Sequence, residues 1–413
     1  MLMNTELDRF FPRHPSVMWQ APVWCITPQI DRCIHRFYDT SPVSPSGRYV
    51  ALTRLPYEDK LPVPGDPAEI VLVDLLQGTT RIVAETRGWD SQLGAQAQWG
   101  GDDQSLFFND VDTQTWRPFG VRLDPATGAR KKLDGPIFMV SPDGKLAASP
   151  CLLRTARTQA GYGVVVPENY VPKNPTMAHD DGIYLTDSET GASRLLISFA
   201  EIVERARPAF DPDDFRNGAL YGHHVKWNPQ GDRLMFVMRC KPDRGRPLRN
   251  VITMRPDGSD VTVALHWQIW RRGGHHPNWC PDGQRILMNL AADGVTMRFV
   301  RFDYEGRNIE AEENFVGSGH PTLHPNGRII VTDTYLGESA AAEHGKAPLR
   351  CINIPTKTEV VLVWVDARPT NDRLHALRVD QHPAWDREYG MIIFNGCAEG
   401  TRRVYLCDMR NLL

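Results

Sequence analysis

Short apolar runs, each opened by a proline–glycine turn, recur along this chain. The turns read Ser44-Pro-Ser-Gly47, Ser141-Pro-Asp-Gly144, Asn228-Pro-Gln-Gly231, Cys280-Pro-Asp-Gly283 and His324-Pro-Asn-Gly327. Proline presets φ at the second turn position and glycine accepts a positive φ, so each is a tight reversal with a physical cause. The runs that follow include Arg48-Tyr-Val-Ala-Leu-Thr53, Arg233-Leu-Met-Phe-Val-Met238, Arg285-Ile-Leu-Met-Asn289 and Arg328-Ile-Ile-Val-Thr332. β-Branched, aromatic and other apolar residues dominate them, as in strands. Many units continue with a further strand ending in Asp, then a Gly turn: Ile70–Asp74 with Gly78, Gly182–Asp187 with Gly191, and Phe299–Asp303 with Gly306. Four short antiparallel strands per unit is the make-up of a propeller blade.

The apolar residues that open each unit align as Val43, Trp99, Val140, Trp227, Trp279, Leu323 and Trp385, spaced by 56, 41, 87, 52, 44 and 62 residues. The expected fold class is therefore all-β: one seven-bladed β-propeller over residues 1–413, built of four-stranded antiparallel blades. The 87-residue step holds two polar, proline-bearing insertions, near 154–180 and 200–220, with a short helix expected at 199–206. The last unit ends on Arg403-Val-Tyr-Leu-Cys-Asp408, a third strand. An N-terminal strand near 23–26 is the expected donor of the fourth, closing the ring and hiding its edges.

Four of the units carry a histidine three residues before the anchor position: His224, His276, His320 and His382. The matching positions of the first three blades are Thr40, Gln96 and Ile137. The first strand of a blade borders the central channel, so these histidines are expected along one arc of one mouth. Several neutral imidazoles meeting there suit a first-row metal or a catalytic centre. The alternative is that each simply caps its strand. Adjacent pairs, His223-His224 and His275-His276, leave the inward member open. Gln381 and Asp380 flank His382 as candidate oxygen ligands. Cys280 and His324, four residues after His276 and His320, are deeper ligands or structural residues. Arg239, sixteen residues after His223, is a candidate carboxylate fork. Arg271 and Arg272 add positive potential before His275, while His179, Tyr221 and His35 lie in loops that border the mouth.

Composition narrows the picture. The chain has 413 residues, is 41% hydrophobic and carries a formal net charge of −3. That balance gives no nucleic-acid or anionic-membrane surface. No apolar run is long enough to span a bilayer, and the first ten residues lack the apolar stretch of a signal peptide. Eight scattered cysteines without a CxxC pair read as free thiols in a reducing cytoplasm.

The turn-and-strand units resemble the TolB-type propeller repeat. The histidine-bearing segments Gly274-His-His-Pro-Asn-Trp-Cys-Pro-Asp-Gly283, Gly317–Gly327 and Asp380-Gln-His-Pro-Ala-Trp385 look like those of the oligogalacturonate lyase family and the related propeller ulvan lyases. The resemblance implies a seven-bladed propeller holding a divalent metal, manganese or zinc, and acting on an acidic oligosaccharide by β-elimination. Carried over by position, His224 is the base, with His276 and His382 as metal ligands. Asp380 and Leu377 stand where that family has a histidine and a glutamine, and His320 and Gln381 are the candidates to compensate. The ulvan lyase tyrosine falls at His223, with Arg239 as the arginine that neutralises the uronate carboxylate. The expected function is cleavage of uronic-acid-containing oligosaccharides. The alternatives are a non-catalytic propeller that binds a protein or glycan, and a metal-dependent hydrolase.

Overall fold

The structure, a computed structural model, describes residues 4–174, 176–242, 245–338, 346–367 and 375–413. Its strands form seven antiparallel sheets, the blades of a β-propeller. Blade one comprises Cys33–Ile34, Tyr49–Arg54, Ala68–Asp74 and Thr79–Thr86. Blade two comprises Gln98–Trp99, Leu106–Asp112, Arg117–Leu123 and Arg130–Lys132. Blade three comprises Met139–Val140, Leu146–Ser149, Gly182–Asp187 and Ser193–Ser198. Blade four comprises Gly218–Trp227, Leu234–Pro242, Leu248–Met254 and Thr262–Leu265, and blade five Gly274–Trp279, Arg285–Leu290, Arg298–Asp303 and Glu310–Ala311. Blade six comprises Thr322–Leu323, Ile329–Thr332, Ala347–Asn353 and Thr358–Val365.

Blade seven departs from the four-stranded pattern. Ala384–Trp385, Met391–Ala398 and Thr401–Asp408 are followed by Val23–Cys25 and then Arg13–His14, so five strands share the sheet. Val23, Trp24 and Cys25 pair with Cys407, Leu406 and Tyr405. Trp24 is fully buried, and its indole N–H donates to Asp8 at 3.0 Å.

The five proline turns close as their sequences require. The amide of each turn glycine donates to the carbonyl three residues back: Gly47 to Ser44, Gly144 to Ser141, Gly231 to Asn228, Gly283 to Cys280 and Gly327 to His324, at 2.8–3.0 Å. The tryptophan anchors do more than fill space. The indole N–H of Trp99 donates to the carbonyl of Pro42, that of Trp227 to Met139 and that of Trp279 to Lys226, at 3.1–3.2 Å. In each case the acceptor is the residue just before the anchor of the preceding blade, so one hydrogen bond fixes the pitch from blade to blade.

The chain forms two compact units. The first holds Met1–Phe108, Leu123–Ala129 and Ser318–Leu413; the second holds Asn109–Arg122 and Arg130–Gly317. In the first, Val50, Leu52, Val71, Ile393 and Leu406 pack around Trp24, and Val331, Leu349, Val363 and Phe394 pack around Trp385. In the second, Met235, Val237, Ile286 and Val300 pack around Trp279. Burying such side chains contributes about 1.5–3 kcal/mol each.

The helix Phe199–Arg205 forms because Ser198 and Glu201 make a complete capping box. A second helix, Leu152–Thr158, lies at the start of the other insertion, where the sequence pattern predicts no helix. It packs on blade four, with the Thr155 hydroxyl donating to the Gly222 carbonyl at 2.9 Å.

Candidate functional site

The residues before the inner strands share an unusual backbone. Gln96, His276 and His382 have φ of +59°, +58° and +49°. A left-handed non-glycine residue costs on the order of 1 kcal/mol and persists only where its surroundings hold it. The doubled histidines fall in register shifts of their strands, between Gly222 and Val225 and between His275 and Asn278.

In the second unit, His223 and His224 are buried, with ring centroids 3.9 Å apart. His223 meets the Tyr162 ring at 5.1 Å and His224 meets Phe138 at 5.5 Å. Burial holds both imidazoles well below their ordinary pKa. For His223 the next causes are the charges of Arg239 and then Arg249; for His224 they are His223 and Lys226. Both rings are therefore neutral at pH 7. Tyr221, Arg239 and Arg249 lie directly opposite one another on three adjacent strands of blade four. Arg239 Nη1 also donates to Gln159 Oε1, which follows the insertion helix.

The other expected residues of this unit are more dispersed. His276 Nδ1 lies 2.8 Å from His275 Nδ1, and Asn289 holds His275 at 3.1 Å. Tyr221 is buried beside Arg239. Arg271 and Arg272 are exposed: the first covers the Trp267 ring and the second donates to the Ala292 carbonyl. His179 is exposed and stands near Glu201. These three side chains are thus exposed, each with a local neighbour: an aromatic ring for Arg271, a backbone carbonyl for Arg272 and Glu201 for His179. Cys280 is sealed in, its thiol pushed up to about 12 by burial.

In the first unit, His320, His382 and Asp380 offer one ligand atom each, all within 4.8 Å of one another, and all three residues are buried. His276, expected as a ligand, is not in this trio; it belongs to the second unit. The centroids of His320 and His382 are 4.4 Å apart, with Phe37 4.7 Å from His382 and Tyr38 5.1 Å from His320. Burial first, then the neighbouring His320 and His35, keeps His382 well below its ordinary pKa, hence neutral. His35 sits 6.5 Å from His382 and is pushed down to about 3 by burial.

Three side chains stand around this trio: Asp333, Arg378 and Gln381. Burial of Asp333 pushes its carboxyl up, but the charge and hydrogen bonds of His320, whose Nδ1 lies 3.0 Å from both oxygens, outweigh this and hold it below its ordinary value. The same carboxylate accepts the amides of His320 at 2.6 Å, Gln381 at 3.1 Å and His382 at 3.4 Å. Gly319, at φ +65°, admits this geometry, because a Cβ there would lie 2.0 Å from the Asp333 carbonyl oxygen. Arg378 grips Asp380 through two bonds of 2.8 and 2.6 Å. Gln381 donates its side-chain amide to the Ala347 carbonyl at 2.9 Å, and its Oε1 is buried without a partner. His324, a candidate deeper ligand, instead packs on Trp385 and Tyr389 beside its turn.

The donor set fits a divalent cation. Both ring nitrogens of His382 are buried without a hydrogen-bond partner. An unsatisfied buried polar atom costs about 1–3 kcal/mol, which coordination removes. Asp333 is acceptor-only, so His320 donates from Nδ1 and carries its lone pair on Nε2, the usual arrangement of a carboxylate-oriented ligand. Two imidazole nitrogens and a carboxylate oxygen match manganese or zinc.

Asp333, Arg249 and Arg378 carry no local sequence signal. Asp333 and Arg249 act across a turn or a strand pair that only the folded register defines, and Arg378 acts on Asp380 two residues further on.

Neither a family model nor a curated protein matches the sequence. Solved structures do. An oligogalacturonate lyase in complex with manganese superposes with a TM-score of 0.68 at 16% identity, covering 96% of each chain. An oligogalacturonate lyase from Vibrio parahaemolyticus superposes with a TM-score of 0.65 at 15% identity, covering 97% of this chain and 96% of that one. At this identity the likeness establishes a shared fold: this chain is a seven-bladed β-propeller of the architecture found in oligogalacturonate lyases.

Proposed function

We propose that this protein is a carbon–oxygen lyase that cleaves uronic-acid-containing oligosaccharides by β-elimination. The observation that carries the reading is the blade-four cluster, where neutral buried imidazoles stand beside an arginine pair that lacks any acidic partner among the described residues. β-Elimination needs these two functions together. The C5 proton of a uronate is α to a carboxylate and is barely acidic while that carboxylate stays charged. Arg239 pairs with the carboxylate and stabilises the enolate-like charge that develops on it.

A neutral histidine then removes the proton. His223 is the better placed of the two, because Arg239 and Arg249 are its strongest charged neighbours, while His224 packs on Phe138. The electron pair of the C5–H bond forms the C4=C5 double bond. The C4–O bond breaks, and the departing oxygen takes a proton from water. Ligand binding also tunes the base. An anion at the arginines offsets the charges that depress His223, raising its basicity when substrate is present.

His320, His382 and Asp380 would hold a divalent metal, manganese or zinc, which when bound supplies a Lewis-acidic positive charge for an anionic ligand. Asp333 and Arg378 orient these ligands. The likeness to a manganese-containing oligogalacturonate lyase supports this part of the reading.

The test is direct. The protein is incubated with oligogalacturonate and other uronides, with manganese or zinc, while the ultraviolet absorbance of the unsaturated uronate is followed. Signal with at least one uronide, reduced at least about 100-fold in His223→Ala or His224→Ala, supports the proposal. Absence of signal with every uronide sinks it.

A further inference from the structure

Two arginines face each other in blade four without a counter-charge among the described residues. Arg239 and Arg249 are directly opposite in the antiparallel pair of Leu234–Pro242 with Leu248–Met254. Opposed residues share a sheet face, with Cβ atoms about 5 Å apart, and like charges placed so are destabilising. The Nε atoms of both are buried without a hydrogen bond. Among the described residues neither arginine makes an ion pair, and Arg239 donates to the neutral Gln159.

Other arginines of blades four and five behave differently. Arg233 pairs with Asp260 at 2.6 Å, Arg285 with Asp282 at 2.8 Å and Arg301 with Glu312 at 2.6 Å. Tyr221 lies in the same cross-strand row as the pair, and neutral His223 feels the charge of both arginines and of Lys226. Burial first, and then Arg239, depresses the pKa of Arg249, a further sign that its charge is unbalanced.

One uronate carboxylate presents two oxygens and is satisfied by one guanidinium fork. A second fork at the same place needs a second negative charge. We propose that Arg249 seats a second anionic substituent of the sugar ligand, within one sugar of the carboxylate that Arg239 takes, and so determines specificity for doubly charged oligosaccharides. The second group is an ester oxyanion, sulfate or phosphate, or the carboxylate of an adjoining uronate. The inference rests on the residue cluster of the proposed function but not on its chemistry, so binding reads it even if no uronide is cleaved.

Calorimetric titrations of the intact protein at fixed ionic strength, with inorganic sulfate, inorganic phosphate, galacturonate and digalacturonate, test this. Arg249→Gln should weaken at least one of sulfate, phosphate and digalacturonate by 10-fold or more, while changing galacturonate by less than 3-fold. Loss confined to sulfate or phosphate identifies an ester; loss confined to digalacturonate identifies a neighbouring carboxylate. Arg249→Lys should restore part of the affinity. Melting temperature guards against misfolding: Arg249→Gln should melt no lower than the parent without anion, and should lose the stabilisation that the bound anion gives the parent. The inference is overturned if all four ligands weaken equally, if none weakens, or if sulfate, phosphate and digalacturonate bind the parent no better than chloride does.

Discussion

Asp333 grips His320 from two sides: the ring Nδ1 lies 3.0 Å from both carboxylate oxygens, and the His320 amide donates to one of them at 2.6 Å. The same carboxylate also takes the amides of Gln381 and His382. One buried charge therefore fixes two loops, a ring orientation and a tautomer. Asp333→Asn keeps the size but loses the charge and two of the acceptor positions. It should weaken divalent metal binding 10- to 100-fold. Titration of free manganese by electron paramagnetic resonance checks this, with zinc competition as a second measure. Unchanged affinity would mean that Asp333 is structural only.

The acid limb of kcat/KM should lie below pH 6.5, because the proposed base titrates low. Burial and the charges of Arg239 and Arg249 disfavour the imidazolium of His223. The neutral, proton-accepting form is thus kept to lower pH than for a free imidazole. Removing one of those charges, in Arg249→Gln, should move the limb to higher pH. A pH series of kcat/KM for the two proteins gives the answer, and a shift to lower pH would contradict the electrostatic account.

Much of this was legible before any coordinates. The proline–glycine turns fix where strands begin, and their spacing gives the number of blades. The register of His224, His276, His320 and His382 singled out four histidines, and the structure brings two of them, His320 and His382, together with Asp380. Other features left no trace in the sequence. Asp333 follows the strand Ile329–Thr332 and reaches back thirteen positions to His320 through a turn whose course depends on Gly319. Arg249 meets Arg239 only through hairpin register. His35 reads as an ordinary loop residue until Asn395 clasps its main chain, with the amide at 2.9 Å.

Stability should fall as the solution is acidified through pH 6.5. His35, His223, His224 and His382 all have folded-state pKa values below the unfolded value. Below pH 6.5 the unfolded chain takes up protons that the folded chain refuses. Each such group then removes about 1.4 kcal/mol per pH unit until its folded pKa is reached. Melting temperature should be nearly level above pH 7 and drop steeply toward pH 5. His35→Phe should lessen the slope, and an identical slope in that variant would remove His35 from the account.

Trp24 should be among the costliest single positions for stability. It is fully buried against blades one and seven, and its indole is hydrogen-bonded to Asp8. Trp24→Ala should cost about 3–5 kcal/mol in denaturant unfolding. A loss under 1 kcal/mol would show that the strand Val23–Cys25 contributes little to its sheet.

That strand also sets a timetable. Cys25 pairs with Tyr405, 380 positions later in the sequence. Closing a flexible loop of that length carries an entropic penalty of about 5 kcal/mol beyond a constant. During translation the early partner leaves the ribosome long before the late one exists. Blade seven must therefore stay open, with an unpaired edge exposed to other chains, until the strand Thr401–Asp408 has emerged. Its assembly is the step at which crowding and chaperones act on the yield of folded protein.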